Sequence, residues 1–341
     1  MSATSRSGGA RSPGLIPPPT RADGRRAAPA LDVTGLRKEF DGRTVLDGID
    51  LHVPEGTVFS LLGPNGAGKT TTVAILSTLL APDGGRARVA GYDLVRQSES
   101  VRSVIGVTGQ FAAVDPLLTA EENLRLMADL AHLDRATGRR RTAELLDAFD
   151  LTEAARRTVG TLSGGMRRKL DLAMTLVGEP RLLFLDEPTT GLDPRSRRTV
   201  WETVRRLVDE QRVTVFLTTQ YLEEADHLAD RIAVLDRGRI VAEGTADDLK
   251  RRVPGGHIRL HFPDRAALRA AAALLDSGTA DPEALTLRVP GDGGIPALRA
   301  VLDVLGEAAV PADRLSVHTP DLDDVFLALT GPGTHSEEHA R

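Results

Sequence analysis

The sequence predicts an α/β protein in two domains, the first built on a parallel sheet with helices on both faces. Three observations carry that reading. Val58–Leu62, Leu182–Leu185 and Val213–Leu217 are short, almost wholly apolar segments, the pattern of strands buried on both faces. A helix around Arg195–Glu210 joins the second to the third, which makes a βαβ unit. Arg-Val-Pro-Gly-Gly at Arg252–Gly256 interrupts the pattern, and strands and helices then alternate on a smaller scale. At roughly 150 residues per domain, a chain of 341 residues has room for both.

In chain order, residues 1–30 are Pro-, Gly-, Ser- and Arg-rich with no apolar stretch like a signal-peptide core, and read as a disordered tail. Ordered patterning starts with a strand at Leu31–Leu36. Val45–Val53 alternates apolar and polar residues as a half-buried strand does, and Val58–Leu62 runs straight into Gly63. A helix over Thr70–Leu79 follows. From about Phe111 to Thr158 strand signals are few, and helices at Ala120–His132 and Arg140–Phe149 suggest an inserted helical lobe. In Arg167–Val177, Leu170, Ala173, Met174 and Val177 fall at i, i+3, i+4 and i+7, one helical face. Ile232–Leu235 and Arg239–Ala242, joined through Asp236, Arg237 and Gly238, read as a terminal hairpin closing the first domain near Asp248. The second domain, about 256–330, reads as three βα units. They are strand His257–Phe262 with helix Asp264–Leu275, strand Leu285–Val289 with a helix facing inward through Leu298, Val301, Leu302 and Leu305, and strand Leu315–His318 with a helix striped by Leu322, Val325, Phe326 and Leu329. Residues 331–341 read as a second disordered tail.

Composition narrows the chemistry. Lys plus Arg number 43 against 48 Asp plus Glu, so the formal charge of −5 offers no overall basic field for nucleic acid. There is no cysteine, which excludes disulfides, thiolate metal sites and a cysteine nucleophile. A bilayer span needs about 20 consecutive apolar residues, and no run in this chain comes near that length.

Gly63-Pro64-Asn65-Gly66-Ala67-Gly68-Lys69-Thr70-Thr71 fits G-x-x-x-x-G-K-[ST], between a strand and a helix as that motif requires. Its glycines permit backbone conformations closed to other residues, so successive N–H groups can converge on phosphate oxygens at the positive end of a helix. Lys69 is then placed to bridge β- and γ-phosphates, the Thr70 hydroxyl to ligate Mg²⁺, and Asn65, Gly66 and Thr71 to lie near the phosphates. Asp186-Glu187 ends an apolar strand at the carboxyl edge of the sheet, where open α/β folds bind ligands. Asp186 would hold Mg²⁺ through its water shell. Glu187, pointing the other way if extended geometry persists, could polarise the attacking water. Ser163-Gly164-Gly165 supplies a capping hydroxyl and exposed N–H groups at a helix start, which as a bare pattern is only an N-cap.

Taken together, the phosphate loop, Leu162-Ser-Gly-Gly-Met166, Leu182–Glu187 and Gly191-Leu-Asp193-Pro194 resemble, in order and spacing, the ATP-binding-cassette (ABC) ATPases over about Leu31 to Asp248. The resemblance implies a P-loop NTPase core with an antiparallel β subdomain and a helical subdomain, using ATP and Mg²⁺. It implies that Phe40 stacks on adenine and that Gln110 links core to lobe and reaches the metal. Asp193 would belong to a loop contacting the opposite subunit. In that family two cassettes pair head to tail, with each nucleotide between one phosphate loop and the Ser163-Gly164-Gly165 element of the other chain. Two positions depart from the common pattern. Met166 stands where most cassettes have Gln, and Gln220 stands where most have His. A Gln amide can donate to a γ-phosphate but cannot take up charge. These departures and Leu322-Asp-Asp-Val-Phe-Leu-Ala-Leu329 resemble the daunorubicin/doxorubicin-resistance branch of drug exporters, whose ATPase and multi-span permease are separate chains. That implies a homodimeric, membrane-peripheral subunit on the cytoplasmic face. Two other readings compete with this one. A soluble machine on ribosomes or DNA usually carries two cassettes or a long coiled coil, and this chain has neither. A clamp that binds ATP without hydrolysing it is suggested by Gln220 and opposed by the intact Glu187.

Overall fold

Alternation along three buried strands sorts the first domain into layers. The computed structural model describes residues 29–109, 113–252, 256–291, 294–318 and 320–330. Strands β1 (Leu31–Phe40), β2 (Arg43–Val53) and β3 (Val58–Leu62) lead to helix α1 (Lys69–Leu76), strands β4 (Gly84–Val89) and β5 (Tyr92–Asp93), helix α2 (Ser98–Arg102) and strand β6 (Ile105–Thr108). Helices α3 (Ala120–Leu130) and α4 (Arg135–Ala148) form the lobe. The chain continues through α5 (Gly164–Thr175), β7 (Leu182–Asp186), α6 (Pro194–Gln211), β8 (Thr214–Thr219), α7 (Leu222–Leu228), β9 (Arg231–Asp236), β10 (Arg239–Gly244) and α8 (Ala246–Arg251).

A six-stranded sheet runs β10-β9-β3-β8-β7-β6, parallel except for the β9–β10 hairpin. Phe59, Leu61, Leu182, Phe184 and Phe216 face one side, where they meet α1 and the antiparallel sheet β2-β1-β4-β5. Phe59 and Phe216 stack there with centroids 5.7 Å apart. Val58, Leu183, Leu185, Val215 and Leu217 face the other side, against α5, α6 and the lobe. This two-sided burial explains why the strands read as almost unbroken apolar runs.

Several boundaries differ from expectation, each for a local reason. Helix α1 stops at Leu76 rather than Leu79 because Thr78 turns left-handed at φ 66°. Helix α4 starts at Arg135, five residues before the expected Arg140, because the Asp134 carboxylate caps it by accepting from the N–H groups of Ala136 and Thr137. Helix α5 starts at Gly164, so both signature glycines lie in its first turn. Strands β4 and β6 had no counterpart in the sequence reading. In β4 only Ala87 and Val89 are buried, and β6 is four residues with a glycine.

The remaining elements are β11 (His257–His261), α9 (Arg265–Leu274), β12 (Thr279–Asp281), β13 (Thr286–Pro290), α10 (Ile295–Glu307), β14 (Arg314–His318) and α11 (Leu322–Thr330). The sheet order is β12-β13-β11-β14, antiparallel throughout, so these strands form a split βαββαβ unit rather than successive parallel crossovers. Strand β12 escaped notice because all three of its residues are exposed. On α10, Val301 and Leu305 are buried and Leu298 packs against them, whereas Leu302, expected on that face, is 47% exposed.

Helix α11 leaves this sheet and returns to the first domain. Leu322 and Val325 are buried among Leu62, Ala225, Ile232, Val234 and Leu249, with Phe326 and Leu329 packed at the margin. Its last apolar stripe therefore completes the core behind β3 and β9. Truncating the chain before Leu322 is expected to cost about 3–6 kcal/mol from those two fully buried side chains alone. Urea unfolding of the truncated chain checks this, and an unchanged midpoint would mean that α11 contributes nothing to the first domain.

Candidate nucleotide-binding site

The phosphate loop is held from behind by backbone. Gly63 N–H donates to Thr219 O at 3.2 Å, and Gly238 N–H, from the β9–β10 turn, donates to Ala67 O at 3.0 Å. A Cβ on Gly63 would lie 2.3 Å from Leu235 O, so only glycine fits between β3 and β9. Gly66 needs glycine for a different reason: its φ is +81° with open space around it. Gly68 caps α1 at φ 112°. Thr72, buried, closes the first turn by donating its hydroxyl to Gly68 O at 2.9 Å. Asn65, Gly66 and Thr70 are exposed at the positive end of α1, and Thr71 is half-buried. They line a cleft of about 730 Å³ with Phe40, Gly68, Lys69 and Glu187. Arg43, Thr44, Val45 and Arg237 complete its wall. Sequence patterning did not single these out as cleft residues: Arg43, Thr44 and Val45 open strand β2 and Arg237 sits in the β9–β10 turn, and neither place carries a local binding signal. Phe40 is 44% exposed, with the Lys38 ammonium 5.2 Å from its ring centroid.

Lys69 and Glu187 meet at this cleft, and Gln220 reaches Glu187. Lys69 Nζ donates to Gly63 O at 2.8 Å and Pro64 O at 3.1 Å, and lies 3.4 Å from Glu187 Oε1. Glu187 does not continue the strand. It turns left-handed at φ 48°, which replaces the extended alternation expected after Asp186. Its N–H donates to the Thr218 carbonyl at 3.1 Å, while its Oε2 accepts from the Thr190 hydroxyl at 3.1 Å and from Gln220 Nε2 at 3.4 Å. The amide of Gln220 thus rests on Glu187 in this structure. Asp186, buried at the end of β7, accepts from the Thr218 hydroxyl. A non-glycine residue held left-handed stores local strain of about 1 kcal/mol, and here the turn brings the carboxylate to the lysine.

The signature element does not line this chain's own cleft. Ser163 Oγ caps α5 by accepting from Met166 N–H at 3.2 Å, and Ser163 and Gly164 are exposed. Asp193 caps α6, accepting from Arg195 and Ser196 N–H groups at 3.1 and 3.0 Å and from the Ser196 hydroxyl at 2.6 Å. The Ser196 hydroxyl, foremost, and these amides hold the Asp193 carboxyl below its ordinary value. A Cβ on Gly165 would come within 2.8 Å of Ser196 Oγ, so the signature turn and the Asp193 turn abut within one chain. Gln110, residues 1–28 and residues 331–341 lie outside the described residues, whereas Ala30, expected in the N-terminal tail, is buried just before β1 and accepts from Ala90 N–H at 2.7 Å.

Glu224, on α7 four residues after Gln220, was not foreseen. It is fully buried, and its Oε1 accepts from the Thr189 hydroxyl at 2.8 Å and Trp201 Nε1 at 3.0 Å. Burial pushes its carboxyl up, opposed by hydrogen bonds from Thr219, Trp201 and Thr189. An acid with a raised folded value binds its proton more readily in the native state, so stability falls as pH rises from the ordinary 4.5 to the raised value. Glu224→Gln is expected to flatten that decline. Urea midpoints measured across pH 5–8 check this, and an identical slope in the variant would show that the acid titrates as in the unfolded chain.

Comparison with known proteins agrees with this geometry. Residues 46–190 match the family model described as ABC transporter. The chain is 50% identical over 313 residues to the daunorubicin resistance ATP-binding protein DrrA3 of Streptomyces coeruleorubidus, covering 91% of this chain and 99% of the relative. It is 49% identical over 309 residues to the daunorubicin/doxorubicin resistance ATP-binding protein DrrA of Streptomyces peucetius, covering 89% and 92%. Among solved structures, an ATP-binding subunit of an ABC transporter superposes with a TM-score of 0.58 at 31% identity, covering 65% of this chain and 92% of that one. A dimeric ATP-binding cassette in a post-hydrolysis state with ADP and Pi superposes with a TM-score of 0.57 at 25% identity, covering 63% and 98%. With a phosphate loop, paired acids and a capped signature helix in one α/β core, and relatives alike over almost their whole length, the chain belongs to the ABC transporter ATP-binding proteins of the daunorubicin/doxorubicin-resistance type.

Proposed function

We propose that this chain hydrolyses ATP as one of two identical subunits paired head to tail, and that it drives a separate membrane permease exporting an anthracycline-like or other amphipathic drug. The observation that carries the reading is the contact of Glu187 with Lys69 and Gln220 beside the phosphate loop, with Ser163 and Gly164 exposed elsewhere on the same chain. Phe40 stacks on adenine. The Gly63–Thr71 loop amides and Lys69 hold the phosphates, and arriving phosphate oxygens compete with Glu187 for the lysine. Thr70 and Gln110 would hold Mg²⁺ directly and Asp186 through the metal's water shell, and the ion when bound would neutralise phosphate charge. The described residues include no cluster of three metal-binding side chains, and Mg²⁺ suits a site of one or two protein oxygens completed by water and phosphate. Glu187, released from Lys69, accepts a proton from the attacking water. Gln220 donates to the γ-phosphate without taking up charge. Ser163, Gly164 and Gly165 meet the γ-phosphate of the partner's nucleotide, and Asp193 lies at the same junction.

Such pairing supplies work because a ligand shifts a conformational equilibrium only by its differential affinity for the two states. The trans contacts to the γ-phosphate exist only in the closed pair, and loss of that phosphate removes them. The daunorubicin-resistance relatives support the cargo class, and no helix among the described residues is long and apolar enough to cross a membrane. The test is co-purification with a multi-span protein encoded beside it. Mg²⁺-dependent ATPase activity and drug uptake into inverted vesicles that both require the two chains are expected. Activity with ribosomes or DNA and none with membranes would overturn the reading.

A further inference from the structure

The signature helix carries a buried ion pair with no part in the chemistry above. Arg168 and Asp171 lie one turn apart on α5, with side chains 6% and 3% exposed, and Arg168 Nη1 meets Asp171 Oδ2 at 2.8 Å. The same guanidinium donates to Gly109 O at 3.1 Å and to the Thr108 hydroxyl at 3.3 Å. The other oxygen of Asp171 accepts from Ala113 N–H at 2.9 Å. The pair therefore grips the chain on both sides of residues 110–112: at the end of β6 by the arginine, and at the approach to the helical lobe by the aspartate. A buried ion pair is poor evidence of stabilisation, since apolar residues of similar size often serve as well. Contacts that bridge two other segments specify position instead.

We propose that Arg168 and Asp171 are positioning residues that tie the signature end of α5 to both flanks of the segment bearing Gln110, coupling the two nucleotide sites of the pair. The inference rests on the head-to-tail reading. Ser163 and Gly164 begin the same rigid helix, five and four residues before Arg168. When those residues engage the partner's nucleotide, α5 is held in one place, and the pair transmits that placement to Gly109 and Ala113, which flank the segment bearing Gln110. The coupling is reciprocal, as any linkage between two binding sites must be.

The test separates the two sites. A full-length reporter chain carrying Lys69→Ala, unable to hold its own nucleotide, is mixed with an isotopically distinct Glu187→Gln chain and Mg-ATP. Pairing is followed by light scattering and amide exchange at Ala113 of the reporter by mass spectrometry or NMR. ATP held by the partner is expected to slow that exchange about tenfold, the scale of one charge-assisted hydrogen bond. With Arg168→Met and Asp171→Asn together in the reporter, which leaves no lone charge buried, the slowing is expected to fall below about twofold while pairing persists. If that double variant fails to fold, Arg168→Lys replaces it, since an ammonium lacks the planar fork that reaches Asp171, Gly109 and Thr108 together. Equal slowing with and without the pair, or no slowing in the intact reporter although scattering shows pairing, overturns the coupling alone. Absence of ATP-driven pairing overturns the head-to-tail reading and the coupling with it.

Discussion

Glu187→Gln is expected to lower turnover by about 10²–10⁴-fold, the usual contribution of a positioned general base, while ATP binding survives. The backbone of residue 187 is anchored by Thr218 through its N–H, independently of the side chain. A glutamine carbonyl can still accept from Thr190, so the amide should occupy the same place. What it loses is the ability to take a proton from water. It also loses the charge 3.4 Å from Lys69, which in the nucleotide-free chain competes with incoming phosphate for that ammonium. Affinity for ATP should therefore be equal or higher, and the closed pair should accumulate. Single-turnover hydrolysis and equilibrium binding of ATP decide the matter. Residual turnover above about a tenth of the parent rate would place the base elsewhere, with Gln220 unable to serve because its amide has no titrating group.

The parts of this site that were readable from sequence are those whose chemistry is set by short-range backbone demands. Gly63 to Gly68 had to be a loop between a strand and a helix, and it is; Asp186 had to end a strand at the ligand edge, and it does, with Glu187 just past that end. What escaped was set by tertiary contact. The left-handed turn at Glu187 has no local signal, because a Glu-Pro pair after a strand ordinarily suggests extended backbone. It is the Thr218 contacts and the lysine that make it tolerable. Arg43, at the start of β2, and Arg237, in the β9–β10 turn, reach the cleft from 194 positions apart in the numbering, which only the packing of the two hairpins brings together. Strand β4 carries Arg86 and Arg88 on its exposed face, so its two buried residues were too few to register as a period. Helix α11 was legible as an amphipathic stripe. That the stripe would cover β3 and β9 of the other domain, rather than its own sheet, depends on the path of the chain after β14.

A second large effect is expected from one methyl group, and a neighbouring glycine provides its control. Gly63→Ala would bring a Cβ to within 2.3 Å of Leu235 O, a backbone atom of β9. Strands β3 and β9 are paired in parallel register, Leu62 beside Val234, so relief requires either the ladder or the loop to move. Overpacking of this kind costs about 1–3 kcal/mol. It would also displace the Gly63 and Pro64 carbonyls that hold the Lys69 ammonium, so ATP affinity should fall by more than about tenfold, the equivalent of 1.4 kcal/mol. Gly66→Ala meets no atom within 4 Å and suffers only its φ of +81°. That strain of about 1–2 kcal/mol can relax within an exposed turn, so its melting temperature should stay near the parent's while nucleotide binding weakens through the altered amide direction. Thermal unfolding of both variants, with and without Mg-ATP, separates the two causes. Gly63→Ala should melt several degrees lower even without nucleotide, whereas Gly66→Ala should differ from the parent chiefly in how little ATP raises its midpoint. Equal melting of the two variants in the absence of ATP would mean that the loop, and not the strand pair behind it, absorbs the clash.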